Sequence, residues 1–530
     1  MRITFMRSGT RIVKRIIKIA VIIIVILVGL YLIFGPGPVG LDRRTDDDLD
    51  EEIDEIVDMV KNGEDIRAMD IVEIIADPEF MGRKTGGEGF RMATGFVEGI
   101  YKELDLDPVI EEDGKKTYRQ RYEQPYNQIK EPLDFSLKDH EERELTPALG
   151  EQYIFDPSSA GANIQDDDMV FVGYGIKDEN TGYNDFEGVD LEGKTAVSLF
   201  NLPGDFPNSA YHDRADNIAD KGANSLIYIV EDDDEELREV IFSSWRGSGE
   251  LSPIPVLWVD EDIGDSLLRL GSFSVSEWIE DYETRKSPRS FPLEHTANIE
   301  INAARKENAE GTNLIGEKTF SKEYPYILLT AHLDTPGISI TGEPIPGAND
   351  NASGVGVILE TISKINRENK EYPFNIMVAI FGGEEDGLKG SRHFASNLPV
   401  KSDKIKEVIN IDMVGAGQDV LKAETKSYHS ALDSLSDRRE TLEYERKRPT
   451  PRSDHWSFVI NDYPAVHLYR PFDTDDEDTN YDNTNDGDTD GEDVYYHTPG
   501  DRPDIISEEY LDDSVETIME LLDELATNQN

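Results

Sequence analysis

Two adjacent glutamates, Glu384 and Glu385, stand just after an apolar segment and are suited to metal-dependent hydrolysis. The segment from Ile376 to Phe381 is rich in branched residues, which is typical of a strand covered on both faces. Two carboxylates at the end of a buried strand cost free energy unless positive charge lies beside them. In a hydrolytic metal site, one such carboxylate binds the metal and the other accepts a proton from the attacking water.

Other candidate ligands also follow predicted strands or lie in turns. His332 and Asp412 each follow a predicted strand, Asp350 lies in the turn before a predicted helix, and His497 belongs to a late Tyr-His-Thr-Pro-Gly-Asp segment. Strands that alternate with helices predict an open parallel sheet, in which ligands bind outside the carboxyl ends of the strands. These residues are therefore expected to converge at one edge of the sheet.

The candidate ligands offer only nitrogen and oxygen, because the chain contains no cysteine. Imidazole mixed with carboxylate suits Zn²⁺, and Co²⁺ or Mn²⁺ also fits such a set. The set comprises His332, Asp350, Asp412, His497 and one of the two glutamates, Glu384 or Glu385. It is too large for one tetrahedral zinc and suits two metal ions that share a carboxylate. Asp334, two residues after His332, is expected to orient the imidazole by a hydrogen bond.

Taken together, these segments resemble the co-catalytic zinc aminopeptidases, the family that also includes glutamate carboxypeptidase II and the transferrin receptor ectodomain. The matching segments are Ala-His-Leu-Asp (331–334), Pro-Gly-Ala-Asn-Asp-Asn-Ala-Ser-Gly (346–354), Phe-Gly-Gly-Glu-Glu-Asp-Gly-Leu-Lys-Gly-Ser (381–391), Asn-Ile-Asp-Met-Val-Gly (410–415), Ser-Asp-His-Trp-Ser-Phe (453–458) and Tyr-His-Thr-Pro-Gly-Asp (496–501). An earlier segment, 71–83, resembles the family's opening helix and Gly-Arg turn.

The resemblance implies a role for each matching residue. His332 and Asp412 would hold one zinc, Glu385 and His497 the other, and Asp350 would bridge them. Glu384 would be the general base, Asp334 would support His332, Tyr496 would stabilise an oxyanion, and Asp454 and His455 would flank the substrate pocket. The implied fold is an α/β three-layer sandwich with a mixed, mostly parallel central sheet.

The resemblance is interrupted by a segment that looks like the protease-associated domain, a β-rich insertion of family members. The predicted organisation is a cytoplasmic basic tail (1–18), a transmembrane signal-anchor (19–39), an acidic stalk (40–65), the N-terminal part of the peptidase domain (66–139), the protease-associated insertion (140–295) and the zinc peptidase catalytic domain (296–530).

The N-terminal segment predicts membrane attachment. An apolar run from Ile19 to Phe34 follows six basic residues, and with its flanks it nears the ~20 residues that span a bilayer. The basic side is expected to stay in the cytoplasm, so the peptidase would face outward on a single-pass anchor in contact with the lipid bilayer. A cleaved signal peptide, which would make the protein secreted, is the alternative, although Gly35-Pro-Gly-Pro38 is a poor cleavage site.

The charge of the chain is strongly negative, with 110 acidic against 53 basic residues and a net charge of −57. Self-repulsion of this size destabilises a compact fold at ordinary salt and is screened at molar salt, which predicts a halophilic source. Nucleic-acid binding is excluded, because no basic patch follows the N-terminal segment. An acidic insertion, 472–493, contains a partial EF-hand pattern at 482–493, for which a solvated loop is favoured over Ca²⁺ binding.

The leading hypothesis is an exopeptidase that removes N-terminal residues from peptides by a metal-activated water. One alternative is a glutaminyl cyclase, a relative that works with a single zinc. Another is an inactive receptor or scaffold on the same fold, although such relatives lose ligands or the base and all six positions are intact here. A further zinc peptidase group carries its extra domain after the Glu-Glu pair, unlike this chain. The sequence leaves open the residue preference, carboxypeptidase or dipeptidase action, and the oligomeric state.

Overall fold

The computed structural model describes residues 46–178, 181–203, 206, 214–231, 251–269, 273–339, 342–472 and 495–527. The predicted basic tail (1–18), transmembrane segment (19–39) and calcium loop (482–493) lie outside these residues, and the predicted stalk is described only from Asp46 onward. Within the described ranges, no helix has the length and apolar character needed to cross a membrane.

Helices and strands alternate mainly in the C-terminal part of the chain, from Tyr326 onward, whereas the described residues between 107 and 199 form strands alone. The helices are α1 (Asp46–Lys61), α2 (Ala68–Ile75), α3 (Glu88–Glu103), α4 (Arg214–Ala219), α5 (Glu261–Leu268), α6 (Val275–Arg285), α7 (Ser353–Arg367), α8 (Lys389–Ser396), α9 (Ser430–Ser436), α10 (His455–Val459) and α11 (Glu508–Thr527). Short 3₁₀ segments are Pro78–Arg83, Ser402–Lys404 and Pro503–Ile505, and a π turn spans Ala348–Ala352.

The strands are β1 (Asp107–Pro108), β2 (Ile110–Glu112), β3 (Lys115–Thr117), β4 (Arg119–Glu123), β5 (Tyr126–Asp139), β6 (Glu144–Leu145), β7 (Tyr153–Phe155), β8 (Ala162–Phe171), β9 (Lys177–Asp178), β10 (Tyr183–Asn184), β11 (Thr195–Leu199), β12 (Ser225–Ile229), β13 (Val256–Val259), β14 (Phe291–Lys306), β15 (Glu310–Lys318), β16 (Tyr326–His332), β17 (Asn375–Phe381), β18 (Ile405–Ile411), β19 (Leu421–Thr425), β20 (Leu442–Arg446) and β21 (Ala465–Tyr469).

The sheet that carries the candidate ligands is mixed. Its order is β1-β15-β17-β16-β18-β21-β19-β20, and β4 also pairs with β15. The central strands β17, β16, β18 and β21 are parallel, as is the edge pair β19 and β20. The predicted mixed sheet is confirmed: the central strands are parallel, whereas β15 runs antiparallel to β1, β4 and β17, and β19 runs antiparallel to β21.

Helices cover both faces of this sheet, which gives three layers. On one face, Met377 and Ala379 of β17 pack with Phe394 of α8 and Phe458 of α10. Successive side chains of a strand point to opposite faces, so the neighbours of Met377 and Ala379 face the other layer. There α7 packs on β16 and β18, and α2 and α11 pack on α7. Burial on both faces accounts for the apolar sequence of β17 from Ile376 to Phe381.

A second sheet is built from strands that lie between Tyr126 and Lys306. Its order is β6-β5-β14-β8-β11-β12-β13-β7, with a core that includes Phe171 and Trp278 in an edge-to-face pair at 5.2 Å. The predicted insertion, 140–295, falls within this range, while β5 precedes its first residue and β14 continues past its last. Its assignment as a protease-associated domain stays a prediction.

Candidate metal centre and active site

The carboxyl ends of three central parallel strands place the candidate ligands side by side. β16 ends at His332, which is in register with Phe381 at the end of β17. Asp412 directly follows Ile411, the last residue of β18. This convergence at one edge of a parallel sheet is the arrangement that the sequence predicted.

Two glycines turn the chain after β17 and so present the glutamate pair. Gly383 has a left-handed φ of +66°, and its main-chain N–H donates to Thr85 Oγ1 at 2.8 Å. Gly382 lies against the ring of Phe90, where any Cβ would overlap the ring. A side chain at either position would therefore displace the backbone that orients Glu384 and Glu385.

The candidate ligands form two buried clusters that share Asp350. His332, Asp350 and Asp412 form one, and Asp350, Glu385 and His497 form the other, with the potential ligand atoms of each cluster within 4.8 Å of one another. Asp350 Oδ1 lies 3.1 Å from His332 Nε2, and Asp350 Oδ2 lies 3.1 Å from His497 Nε2. His332 Nε2 is 3.3 Å from Asp412 Oδ1, and His497 Nε2 is 3.0 Å from Glu385 Oε1.

The donor chemistry of both clusters fits zinc. Each cluster offers one imidazole nitrogen and two carboxylate oxygens, all on buried side chains. Crowded buried carboxylates cost free energy unless cations or protons neutralise them. Imidazole and carboxylate are common zinc ligands, and three protein ligands leave a coordination position open for water or substrate.

His332 holds its proton strongly when no metal neutralises the carboxylates around it. Burial disfavours the charged form of His332, but Asp412 and Asp350 outweigh burial and raise its pKa well above the usual range. Burial likewise disfavours ionised Asp350, but hydrogen bonds from His332 and His497 outweigh it and lower the pKa of Asp350. Metal binding would displace the protons from the imidazole nitrogens, so zinc affinity should depend on pH.

Asp334 links the His332 segment to the glutamate pair. His332 Nδ1 lies 3.1 Å from the main-chain oxygen of Asp334 and 3.8 Å from its carboxylate, so the carbonyl is the nearer partner of the ring. The Asp334 carboxylate instead accepts the main-chain N–H of Glu384 at 3.2 Å. Glu384 itself is half-buried and belongs to neither cluster. Burial raises its pKa well above the usual range, which Glu385 reinforces and His332 opposes.

A buried hydrogen-bond chain holds Asp412. Ser453 Oγ donates to Asp412 Oδ2 at 2.5 Å, Asn410 Nδ2 donates to Ser453 Oγ at 2.7 Å, and Thr330 Oγ1 donates to Asn410 Oδ1 at 2.8 Å. The chain crosses from β16 to β18 and fixes the oxygen of Asp412 that does not face His332. Partners of this kind orient metal ligands and raise metal affinity.

Asp501 holds the turn that carries the shared ligand. Its buried carboxylate accepts the main-chain N–H groups of Asn349 at 2.7 Å and Asp350 at 3.0 Å. Burial raises the pKa of Asp501 to about 7, while those two N–H groups act in the opposite direction. Asn349 Oδ1 in turn accepts the main-chain N–H groups of Gly415 and Ala416. The turn before α7 is thereby tied to the segment that follows Asp412.

The remaining predicted site residues lie in different surroundings. The Tyr496 ring is 39% exposed and stacks on His497 with centroids 3.6 Å apart. Asp454 is fully buried at the start of α10, where burial raises its pKa to about 7 against the opposing effect of His332. His455 is buried and stacks on His467 with centroids 4.4 Å apart. The oxyanion role of Tyr496 and the pocket roles of Asp454 and His455 stay predictions.

The sequence assigned no role to Ser453, Asp501 or Arg83, although all three lie inside the segments that carried the resemblance. Ser453 and Asp501 support ligands through hydrogen bonds, and Arg83 is a buried cation in the Gly-Arg turn. Their positions in the sequence could have indicated a supporting role, because each is a polar residue that lies close to a predicted ligand or in a glycine turn.

Known proteins resemble this chain in sequence and in fold. Residues 313–522 match the model of peptidase family M28. Aminopeptidase YwaD of Bacillus subtilis (strain 168) is 26% identical over 386 residues, which cover 71% of this chain and 71% of the relative. An aminopeptidase of Pseudomonas aeruginosa (strain UCBPP-PA14) is 34% identical over 121 residues, 22% of this chain and 21% of the relative.

Solved structures share the fold over most of the chain. An aminopeptidase from Aneurinibacillus sp. strain AM-1 aligns with a TM-score of 0.55 at 20% identity, covering 90% of this chain and 96% of that one. BSAP, a zinc aminopeptidase from Bacillus subtilis, aligns with a TM-score of 0.53 at 20% identity, covering 87% and 94%.

The mixed α/β sheet and the paired nitrogen and oxygen clusters define a metal-dependent hydrolase. The family match spans every predicted ligand from His332 to His497. The region that carries the site therefore matches peptidase family M28 over residues 313–522. The predicted family and the predicted enzyme class, a zinc aminopeptidase-type hydrolase, are confirmed.

Proposed function

We propose that the protein is an aminopeptidase that works with two zinc ions and removes residues from the N-termini of peptides. The observation that carries this proposal is the geometry of Asp350, whose two carboxylate oxygens face different histidines at the same distance, 3.1 Å. A carboxylate with one oxygen in each of two ligand clusters is suited to hold two metal ions together.

The residues divide into two sets of ligands and one base. His332 and Asp412 would hold one zinc, Glu385 and His497 the other, and Asp350 both. Bound zinc would supply Lewis acidity that polarises the peptide carbonyl and makes water easier to deprotonate.

Glu384 is the candidate general base. It directly precedes the ligand Glu385, stands outside both clusters, and is anchored through its main-chain N–H on Asp334. In this position its carboxylate would take a proton from the attacking water and pass it to the leaving amine. Its half-buried side chain keeps it within reach of both solvent and site.

Replacing Glu384 by glutamine tests this role. The amide keeps the size of the side chain but cannot accept the proton at neutral pH, so kcat should fall by roughly 10²–10⁴-fold. Zinc content, measured by mass spectrometry of the metal, should stay at the wild-type value. Glu443, an exposed glutamate on β20, gives a matched control variant, Glu443→Gln. Near-full activity of Glu384→Gln with unchanged zinc would remove Glu384 from the mechanism.

Aminopeptidase action is supported by the relatives that are aminopeptidases, and it is tested with substrates whose N-terminus is blocked. The protein without residues 1–39, in high salt with zinc, should release amino acids from aminoacyl chromogenic substrates whose N-terminus is free. It should not cleave the N-acetylated forms of the same substrates. γ-Glutamyl and C-terminally blocked peptides complete the panel and separate carboxypeptidase or dipeptidase action. One zinc per chain together with cyclisation of N-terminal glutamine would favour a glutaminyl cyclase instead.

We further propose that the enzyme is anchored in the cell membrane by residues 19–39 with its peptidase domain outside the cytoplasm. The support is the sequence pattern of basic residues before an apolar run. Membrane fractionation of the full chain, with protease added to intact cells, tests both points. Removal of residues 1–39 should release the protein from membranes, and an intact N-terminus on the mature protein would exclude signal cleavage.

The segment 140–295, which contributes most strands of the second sheet, is the proposed protease-associated domain. Its proposed role is to control the access of peptides to the site. Variants on its surface should then change KM for long peptides and leave single-residue chromogenic substrates unaffected.

A further inference from the structure

Arg83 is a buried cation beside the metal centre that the proposed reaction does not use. It ends the 3₁₀ segment Pro78–Arg83, and its side chain has an exposed fraction of 0%. No ion pair of Arg83 is found among the described residues; its guanidinium donates only to main-chain carbonyl oxygens. A buried charge without a contacting counter-ion is costly, so the carbonyl arrangement must compensate for it.

The carbonyl partners of Arg83 belong to the two segments that carry His332 and Asp350. Nε donates to the oxygen of Leu333 at 2.7 Å, directly after His332. Nη2 donates to the oxygen of Gly347 at 3.0 Å, three residues before Asp350, and Nη1 donates to the oxygen of Pro346. A further bond from Nη1, to Ile75 O at 2.6 Å, attaches the group to the end of α2. One planar side chain thus connects two ligand segments to a helix.

The main chain around Arg83 is locked in the same way. Gly82 has φ +64° and packs so closely that a Cβ would overlap the carbonyl oxygen of Gly337. Thr335 Oγ1 donates to the carbonyl oxygen of Gly82. At Gly347, a Cβ would press on Thr335 and on the oxygen of Asp350. The turn and both ligand segments therefore fit together only with these small residues in place.

Charge alone does not explain a cation at this place. Burial lowers the pKa of Arg83 to about 10, with Asp501 and Asp334 opposing, so the group stays protonated at neutral pH. A fixed positive charge repels a bound metal cation and, taken by itself, weakens metal binding. If Arg83 strengthens metal binding, it must therefore do so through the positions of the groups it bonds to and not through its charge.

We propose that Arg83 is a positioning residue of the metal centre, whose guanidinium fixes the His332 segment and the Asp350 segment relative to each other before metal binds. The proposal rests on the proposed two-zinc function. The planar fork is essential to it, because lysine offers a single nitrogen that cannot reach carbonyl groups spread over this many positions. Loss of the fork should weaken zinc binding even when the charge is retained.

The test compares Arg83→Lys and Arg83→Gln with a matched control, Arg214→Lys. Arg214 is also buried, at 1% exposure, and donates to the carbonyl oxygens of Leu199 and Phe200 in the second sheet. Zinc dissociation constants come from competition with a chromogenic chelator, alongside melting curves of the metal-free proteins. We expect both Arg83 variants to bind zinc roughly 10–100-fold more weakly, as for other partners that orient ligands. Arg214→Lys should lower the melting temperature and leave zinc affinity within about twofold of wild type.

Three results would overturn the inference. Zinc affinity unchanged in Arg83→Lys with a lowered melting temperature would leave Arg83 with a structural role alone. Unchanged affinity in Arg83→Lys together with tighter binding in Arg83→Gln would make its effect purely electrostatic. Equal loss of zinc affinity in Arg214→Lys would show a general effect of destabilisation.

Should Arg83→Lys not fold, Thr335→Val serves as the milder variant, since it keeps Arg83 and removes only the Thr335 hydroxyl, which bonds to the oxygens of Gly82 and Ile345 and accepts the N–H of Gly337. It should weaken zinc binding, and wild-type affinity would again count against the inference. A wild-type protein that binds zinc but cleaves no peptide would overturn the proposed function and leave the zinc comparison standing. A wild-type protein that cleaves peptides, together with Arg83 variants whose zinc affinity is unchanged, would overturn the inference about Arg83 and leave the proposed function standing.

Discussion

Replacing Asp501 by asparagine should weaken zinc binding, although Asp501 is outside both ligand clusters. Its two carboxylate oxygens accept the main-chain N–H groups of Asn349 and Asp350, and Asp350 is the ligand that both clusters share. Asparagine has one acceptor oxygen in place of two. In the variant, one of these buried N–H groups would face the amide nitrogen, which is a donor.

The magnitude follows from these two bonds. A hydrogen bond to a charged acceptor contributes about 1.5–3 kcal/mol, and leaving a buried N–H unsatisfied costs about 1–3 kcal/mol. If roughly half of this loss falls on the alignment of Asp350, zinc affinity drops by about 1.3–3 kcal/mol, which is roughly 10–150-fold.

The assay measures zinc dissociation constants of the wild type, Asp501→Asn and Asp504→Asn by chelator competition between pH 6 and pH 8. Asp504 is exposed, and its contact is an ion pair with Arg502, so Asp504→Asn removes the same charge without touching the turn. Burial raises the pKa of Asp501 to about 7 in the metal-free protein. A protonated carboxyl resembles an amide, so the difference between wild type and Asp501→Asn should grow as pH rises above 7.

The reasoning fails if Asp501→Asn binds zinc within about twofold of the wild type at pH 8, where the carboxylate should matter most. It also fails if Asp504→Asn shows the same loss, since a long-range charge effect would then account for both.

Three further predictions concern the shared ligand, acid stability and salt. Asp350→Ala should remove both zinc ions, and metal analysis that still finds two per chain would contradict the shared position. Burial lowers the pKa of His467 to about 3 in the folded protein, whereas its unfolded value is about 6.5. The free energy of unfolding should therefore fall as pH drops from about 6.5 toward 3, by roughly 2 kcal/mol at pH 5. In His467→Phe, the free energy of unfolding from denaturant melts should change less between pH 7 and pH 5, and an unchanged pH dependence would refute the linkage. Molar sodium chloride and molar potassium chloride should raise the melting temperature by similar amounts, because the Debye length falls from about 30 Å at 0.01 M to about 3 Å at 1 M. A melting temperature that does not change with salt would contradict the halophilic interpretation of the net charge of −57.

The buried strands and the helix beside them could be predicted because their signal is local. The predicted strand at 376–381 is β17, Asn375–Phe381, and the helix predicted after Asp350 is α7, Ser353–Arg367. A strand covered on both faces is nearly continuously apolar, and charged residues then stand out at its end. That contrast is why the ligand positions could be proposed from one sequence.

The groups that hold the ligands gave no comparable signal. Arg83 bonds to Leu333 across 250 positions, and Asp501 bonds to Asp350 across 151 positions. Contacts between residues so far apart in the chain depend on how whole helices and strands pack. Neither the periodicity of apolar residues nor the spacing of motifs in the sequence predicts that packing. The partner of His332 shows the same limit: the sequence predicted the carboxylate of Asp334, whereas its main-chain oxygen lies nearer to the ring.

The two kinds of acidic residue in this protein should respond differently to salt and to zinc. Most of the 110 acidic residues contribute to the overall repulsion, which salt screens, whereas the carboxylates of the metal centre are buried and are screened much less. Zinc neutralises only the latter, and its contribution to stability depends on free zinc and its dissociation constant. At equal free zinc, the two effects should therefore add: molar salt should raise the melting temperature of metal-free and zinc-loaded protein by similar amounts. If zinc stabilised the protein only at low salt, the buried clusters would have to be part of the general repulsion, and the separation of site from surface would be wrong.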